Sequence, residues 1–175
     1  MNLKGILRSV VFFEYVSDRH VQQLADMARP QTVDTGEVVF SEGEAENHLY
    51  LIESGRIQIS RDGPHFGRQT FALLGPGDHF GALSLFYTDP HFASAIAVEP
   101  TRLWILRHDD FQARLRKQPK VAFAVLKGMV LAVRTANSEI RRLTTLLNRR
   151  SRATIELPTK GHSARPPAPF PPPAS

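Results

Sequence analysis

The sequence predicts a mainly β domain with flanking helices, an α+β chain in which a small antiparallel barrel or sandwich precedes a long C-terminal helix. Between Thr32 and Arg107, short runs rich in β-branched and aromatic residues are broken by glycine and proline. This pattern is typical of a closed or two-layered antiparallel sheet. On both sides of that region, apolar residues recur every three or four positions, which predicts amphipathic helices.

The first predicted helix covers residues 17–28. Ser17 stands where an N-cap is expected, and Pro30 follows where the helix has to end. The apolar residues of the segment share one face: Val21, Leu24, Ala25 and Ala28. The segment is therefore predicted to be a short amphipathic helix.

The central region is predicted to form a barrel over about residues 32–107. Its expected strands are Glu37–Phe40, Leu49–Glu53, Arg56–Ser60, Gln69–Leu74, Ala93–Val98 and Arg102–Leu106. Three glycine-bearing turns separate them, at Glu42–Glu44, Glu53–Gly55 and Gly75–Asp78. Glycine is expected in such turns because it admits the positive φ that hairpins demand.

Two C-terminal helices are predicted over about residues 109–148. The first begins at Asp109 and breaks at Pro119, and the second runs to about Asn148. In the second helix, spacings of four and three alternate over three heptads, with an asparagine at an inner position. The seam consists of Leu126, Val130, Val133, Asn137, Ile140, Thr144 and Leu147. It predicts a homodimer through this helix; the alternative is that the same residues lie against the barrel of their own chain.

Residues 80–85, Phe-Gly-Ala-Leu-Ser-Leu, and 90–95, Pro-His-Phe-Ala-Ser-Ala, resemble the phosphate-binding cassette of the cyclic nucleotide-binding domain family. The matching positions are Phe80, Gly81, Leu83, Ser84, Leu85, Pro90, Ala93 and Ser94. Two positions depart from the family pattern: Ala82 stands in place of a ribose-binding glutamate, and His91 in place of a phosphate-binding arginine. The glycine turns also follow the family's order, so the resemblance extends over about residues 5–148.

The resemblance implies a double-stranded β-helix, or jelly-roll barrel, of the eight-stranded cyclic nucleotide-binding type. It implies a regulatory role in signal transduction rather than enzyme activity, with cyclic AMP or cyclic GMP as candidate ligand and a long helix similar to the dimer helix of Crp/Fnr-like regulators. The candidate pocket residues are Phe80, Gly81, Ala82, Leu83, Ser84, His91, Phe92, Ala93 and Ser94. Asn137 and Ser138 fall near the positions at which such regulators contact a nucleotide base, so they are candidates as well.

The two departures remove the charged contacts of the cassette. Charge-assisted hydrogen bonds are worth about 1.5–3 kcal/mol each, so losing both should weaken a cyclic nucleotide by about two to four powers of ten. In one interpretation the pocket still holds a nucleotide or another small anion, through the amides of Gly81, Leu83 and Ser84, the hydroxyls of Ser84 and Ser94, and a protonated His91. In the other, the pocket is vestigial and filled by Phe92, and the domain dimerises or docks on an unknown partner protein. The missing charges favour the second interpretation for cyclic AMP and cyclic GMP.

Length and composition limit the number of domains, the kinds of metal or redox site, and the cellular location that can be expected for this chain. A chain of 175 residues suits one domain with appendages. The absence of cysteine excludes disulfides, cysteine-ligated zinc and a thiolate-held iron–sulfur cluster. There is neither a run of about 18 apolar residues nor a signal-like leader, which predicts a cytoplasmic chain without a membrane span.

The net charge of +5 is concentrated at the C-terminus. Residues 149–175 carry +4, and the preceding residues carry only +1. Because residues 165–173 are rich in proline, residues 149–175 are predicted to form a disordered basic tail, whose PxxP spacing leaves docking in a proline-binding groove as an alternative. The tail contains no pattern for a helix-turn-helix, so direct DNA binding is not expected.

An enzyme is the rival class. Residues 75–79, Gly-Pro-Gly-Asp-His, resemble half of a metal-binding cupin motif, but the sequence has no His-x-His pair to supply the facial ligands. Ser84 and Ser94 lack the glycine context of a nucleophile elbow. We therefore expect neither a metal centre nor a hydrolase.

Overall fold

Eight strands form two four-stranded sheets in the computed structural model, which describes residues 2–45, 47–63 and 67–155, with side chains as far as Asn148. The strands are β1 Arg29–Val33, β2 Val38–Phe40, β3 His48–Ser54, β4 Ile57–Gly63, β5 Gly67–Leu74, β6 His79–Phe80, β7 Ser94–Ala97 and β8 Thr101–Arg107. Their order is β1-β8-β3-β6 in one sheet and β2-β7-β4-β5 in the other. The pairs within both sheets are antiparallel, which confirms the predicted jelly-roll class.

Two of these strands were not predicted. β1 contains Pro30, which sequence analysis used only as the end of a helix; proline is tolerated there because β1 lies at the edge of its sheet. β6 is two residues long and shows no alternation, but it pairs Phe80 with Tyr50 and His79 with Leu51 of β3. The predicted glycine turns are confirmed by positive φ angles of 84°, 86° and 94° at Gly43, Gly55 and Gly77.

The α-helices are α1 Leu3–Ser9, α2 Asp18–Ala25, α3 His108–Lys117 and α4 Pro119–Ile155, with a single 3-10 turn at Val11–Phe13 between α1 and α2. Ser17 is the N-cap residue of α2, but its hydroxyl lies 2.8 Å from Nδ1 of His20 instead of bonding to a helix amide. α4 begins at Pro119, since proline suits the first position of a helix. It continues to Ile155, beyond the predicted end at Asn148. Residues 149–155, which were predicted to belong to the disordered tail, are therefore helical, and the rest of the predicted tail, residues 156–175, lies outside the described residues.

Strand β3 separates two hydrophobic cores because alternate side chains of a strand point to opposite faces. Leu49 and Leu51 belong to the helical core, whose fully buried members also include Ile6, Leu7, Phe13, Leu85, Leu106 and Phe111. Tyr50 and Ile52 belong to the barrel core, with Val33, Phe40, Ile57, Phe80, Ala95, Ala97 and Leu103. The barrel and the helices thus share one central strand.

The chain divides into two units, Met1–Thr135 and Ala136–Ser175, and α4 contributes to both. Within the first unit, Val121 and Val125 of α4 are buried in the helical core, whereas the seam residues Leu126, Val130 and Val133 are more than half exposed. The alternative that these seam residues lie against their own barrel is therefore wrong for the first unit. In the second unit, Ile140 and Leu147 are exposed too.

Residues 119–148 of α4 are long and apolar enough to cross a membrane by length and composition alone. The expectation of no apolar span rested on a continuous run, which charged residues such as Lys127 and Arg134 interrupt. A core helix of a water-soluble protein meets the same criterion. Only 17% of the apolar window is buried within the structure, although Val121 and Val125 of the same helix lie in the helical core.

Gly55 offers a test of the turn that joins β3 to β4. Gly36 and Gly55 share a φ of +86°, but a Cβ on Gly36 would meet nothing, whereas a Cβ on Gly55 would overlap Thr101 and the Pro100 carbonyl. Gly36→Ala should cost about 1–2 kcal/mol of unfolding free energy, for the positive φ alone. Gly55→Ala should cost about 1–3 kcal/mol more, because the rigid backbone of β8 has to move. Urea unfolding of both variants measures this difference, and equal losses would contradict the packing argument.

Candidate functional site

A cavity of about 580 Å³ opens between the cassette and the sheet that contains β2 and β4. Eight of the residues predicted from sequence line it: Phe80, Gly81, Ala82, Leu83, Ser84, His91, Phe92 and Ala93. Pro90, a matching position of the cassette, lines it as well, and five further lining residues were not predicted: Phe40, Ile59, His79, Tyr87 and Asp89. Phe40 and Ile59 come from distant strands, so no local motif could have identified them.

The cassette turn, residues Ala82–Leu85, is a short 3-10 helix that begins after Gly81. Gly81 has a left-handed backbone with φ of +73°, and a Cβ there would overlap the His48 carbonyl oxygen. The Ser84 amide donates to the Gly81 carbonyl at 3.0 Å. Of the three amides that were expected to hold an anion, those of Gly81, Leu83 and Ser84, the Ser84 amide is therefore already engaged within the turn.

The two sides of the cassette turn are anchored in different cores. Before it, Phe80 stacks on Tyr50 with ring centroids 4.8 Å apart, inside the barrel core. At its end, Leu85 is fully buried in the helical core. A movement of this turn is thus coupled to the packing of both cores.

Helix α3 holds the carbonyl groups of the cassette turn. The Nδ1 atom of His108 lies 2.9 Å from the Ser84 carbonyl oxygen, and Nε2 of Gln112 donates to the Leu85 carbonyl at 2.7 Å. His108 has to be protonated at Nδ1 to donate, since a carbonyl only accepts. Side chains from the first and second turns of α3 therefore bind the backbone of the cassette turn directly.

A ring cluster of Phe12, Phe13, Phe86 and Phe111 forms a second contact between the cassette segment and α3. Phe86 follows the cassette turn and packs edge-on against Phe12 and Phe111, each with ring centroids 5.4 Å away. Phe111 belongs to α3 and lies 5.9 Å from Phe13. Gly128 of α4 packs so closely on the Phe12 carbonyl that a Cβ would overlap it. The cluster connects the cassette to α3 and to the first part of α4.

The substituted positions both face the cavity. Ala82 contributes only a methyl group. The His91 ring stacks on Phe40 with centroids 3.8 Å apart and planes 18° apart. Its backbone bonds in both directions to the turn before β3: the His91 amide donates to the Glu44 carbonyl at 2.9 Å, and the His91 carbonyl accepts from Gly43 at 2.8 Å.

The cavity is open rather than filled. Phe92 is 70% exposed and meets Phe71 of β5 edge-on, with ring centroids 5.7 Å apart. Leu83 and Tyr87 are 69% and 66% exposed. Phe92 thus stands at the rim, and the structure does not show the filled pocket that sequence analysis considered.

The charges around the cavity differ from those of an anion site. In the described part of the chain, its lining contains no arginine or lysine, and Asp89 is its acidic member. Burial lowers the pKa of His79, with a smaller opposing effect from Asp78. The pKa of Glu44 also lies below its usual range, because the Ser41 amide donates to its carboxylate and, to a lesser extent, because His91 is near.

Three other predicted residues lie elsewhere. The Ser94 hydroxyl accepts from the Glu42 amide at 2.9 Å, so it supports the turn before β3. Asn137 and Ser138 are exposed residues of α4 in the second unit, and their contact with a base stays a prediction.

Among the described residues, no three His, Asp or Glu side chains lie close enough together to hold a metal ion. His79, from the cupin-like segment, instead lies 3.3 Å from the hydroxyl of Ser9 in α1.

Comparison with known proteins identifies the family. The cyclic nucleotide-binding domain model matches residues 30–118, which is half of the chain. The chain belongs to the cyclic nucleotide-binding domain family. The family assignment confirms the resemblance seen in the cassette.

Three relatives show how far the similarity reaches. The cyclic AMP receptor protein of Thermus thermophilus is 38% identical over 60% of this chain and 49% of its own length. The CRP-like cAMP-activated global transcriptional regulator of Mycobacterium tuberculosis is 28% identical over 77% of this chain and 60% of its own length. The N-terminal domain of a transcriptional regulator from Streptomyces coelicolor superposes with a TM-score of 0.71 at 29% identity, over 77% of this chain and 94% of that domain. The chain thus spans about half to 60% of these two full-length relatives.

The lowered pKa of His79 predicts an acid-sensitive contribution to stability. Because folding favours the neutral imidazole, this contribution is complete above the ordinary value of 6.5 and is lost as the pH falls from there through the lowered value. The unfolding free energy of the wild type should therefore fall more steeply from pH 7.5 to pH 5 than that of His79→Gln. Urea titrations at a series of pH values measure both slopes. Parallel slopes would show that burial does not keep His79 neutral.

Proposed function

We propose that this chain is a regulatory domain in which the state of the cassette is passed to a partner protein through the C-terminal helices, and that cyclic AMP and cyclic GMP are at best weak ligands. The observation that carries this proposal is the connection from the cassette turn through His108, Gln112 and the ring cluster to α3 and α4. A ligand that prefers one position of the turn would bias both helices, since they share its packing.

Weak recognition of cyclic nucleotides follows from the two substituted positions. Ala82 has no acceptor for a ribose hydroxyl, and the His91 ring lies flat on Phe40. A guanidinium holds a phosphate through two parallel donors, which a single imidazole cannot provide. Asp89 adds a carboxylate to the lining, which opposes an anionic ligand.

The second candidate is a true cyclic nucleotide sensor. Its support is the name of the Thermus relative, a cyclic AMP receptor protein, together with the open cavity. In that case a protonated His91 would take the place of the missing arginine, and binding would tighten in acid because an imidazole gains its charge there.

Calorimetric titration with cyclic AMP and cyclic GMP at pH 6 and pH 8 separates these candidates. We expect the wild type to bind about two to four powers of ten more weakly than a cassette with both charged contacts, at either pH. The double variant Ala82→Glu/His91→Arg restores both contacts and should gain about a hundredfold or more. Tight binding by the wild type that strengthens at pH 6 would favour the sensor.

The matched control is Ala82→Gln/His91→Met, which adds similar bulk without charge and should gain no affinity. The loaded Glu/Arg variant also tests transmission, because hydrogen exchange in α3 should slow when ligand fixes the cassette turn. Unchanged exchange in α3, despite bound nucleotide, would contradict the proposed connection.

We further propose that the outer face of α4 pairs with a second copy of the chain. The seam residues are exposed along the described helix, and apolar side chains repeating at heptad spacing are stable in water when they are covered. A homodimer covers them with the same surface from the partner.

Val130→Glu tests this dimer. Pairing the seams would take a carboxylate of each chain out of water and bring the two like charges together, so the variant should be monomeric where the wild type has the mass of two chains. Thr135→Glu is the control, because this exposed α4 residue lies outside the seam. Light scattering at equal concentrations measures the mass. A monomeric wild type, or a dimer that both variants retain, would overturn the proposal.

A further inference from the structure

We propose that the cavity beside the cassette binds an uncharged, predominantly apolar small molecule. The inference deepens the proposed function, because it assigns a ligand class to the same cavity and relies on the same cassette turn to respond. It differs from a vestigial pocket, since it requires saturable occupancy by a ligand. It also differs from a cyclic nucleotide site, since an anion is the ligand that the lining disfavours.

The lining supplies no fixed positive charge among the described residues. Asp89 contributes a carboxylate, and Ala82 contributes a methyl group where the family has its ribose-binding glutamate. The Ser84 amide is used within the cassette turn. An anion in this cavity would lose its hydration without gaining a permanently charged partner, whereas an uncharged molecule avoids that cost.

The walls of the cavity are mostly apolar and partly flat. The stacked rings of Phe40 and His91 form one wall, at a centroid separation of 3.8 Å. Phe80 and Ile59 extend the apolar lining on strands β6 and β4. Flat aromatic surfaces favour a ligand with rings or extended hydrocarbon, because such a ligand can stack against them.

The rim offers apolar surface that a ligand would cover. Leu83 and Phe92 are about 70% exposed, and Phe71 extends this surface onto β5. Leu83 lies in the cassette turn itself. Covering Leu83 therefore places the ligand against the element that His108 and Gln112 hold.

A matched pair of fluorescent probes tests the charge preference. N-phenyl-1-naphthylamine is uncharged, and 8-anilinonaphthalene-1-sulfonate has the same ring skeleton with an added sulfonate. We expect saturable binding of one uncharged probe per chain, roughly tenfold or more tighter than that of the sulfonate. Equal affinities, or no saturable binding of the uncharged probe to the folded protein, would overturn the proposal.

Variants locate the probe. Phe92→Ser at the rim, and Ala82→Glu inside the cavity, should each weaken the uncharged probe roughly tenfold. The control is Phe123→Ser, which removes a phenylalanine of similar exposure, 67%, from α4. It should leave the affinity unchanged. Loss of binding in Phe123→Ser, with none in Phe92→Ser, would place the probe on the helix and refute the cavity assignment.

The outcomes also separate this inference from the proposed function. If the Glu/Arg double variant gains cyclic AMP and transmits to α3, but the wild type does not hold the uncharged probe, the regulatory proposal stands and the ligand class is wrong. If the probe binds in the cavity and exchange in α3 does not respond to either ligand, the ligand class stands and the regulatory proposal fails.

Discussion

The arrangement of this domain depends on the left-handed backbone at Gly81. This conformation allows Phe80, just before the cassette turn, to pack in the barrel core while Leu85, at its end, packs in the helical core. Phe80 is fixed in the barrel by its stack on Tyr50, and Leu85 is fixed among the helices. Only a residue without a Cβ can stand between them, because the His48 carbonyl occupies that space. The position of the cassette turn is therefore set by apolar packing and backbone geometry, whichever side chains face the cavity.

This division explains how the fold persists while the charged contacts are lost. Ala82 and His91 line the cavity and contact the cores only from their edges: Ala82 is a partly buried neighbour of the helical core, and the His91 ring stacks on Phe40 of the barrel core. The backbone bonds of His91 to Gly43 and Glu44 involve main-chain atoms that any residue other than proline supplies equally. A glutamate and an arginine at these places would therefore contribute to ligand recognition more than to folding. Their replacement changes the chemistry of the site without removing the scaffold that shaped it.

Sequence patterns predicted the elements with regular apolar spacing and the turns that contain glycine. Six strands, the glycine turns and the helices after the barrel were predicted, since alternation, positive φ and 3.6-residue periodicity leave strong signals. β1 and β6 were missed because Pro30 obscured one and the other is two residues long. In the site, the cassette motif led to eight lining residues, but Phe40, Ile59 and His79 reach the cavity through strand pairing and sheet packing. Such long-range neighbours follow from the register of the sheets, which one sequence does not specify.

Helix α4 shows why a heptad pattern alone was ambiguous. Its outer face carries Leu126 and Val130, whereas its inner face buries Val121 and Val125 and brings Gly128 against the Phe12 carbonyl. The heptad pattern marks the outer face, whereas Val121 and Val125 of the inner face pack in the helical core of the first unit. The inner face of α4 packs on the ring cluster and the rest of the helical core. Its outer face makes no such contact within the first unit. In the proposed function, the inner face of α4 therefore responds to the cassette, and its outer face is the surface that a partner would contact.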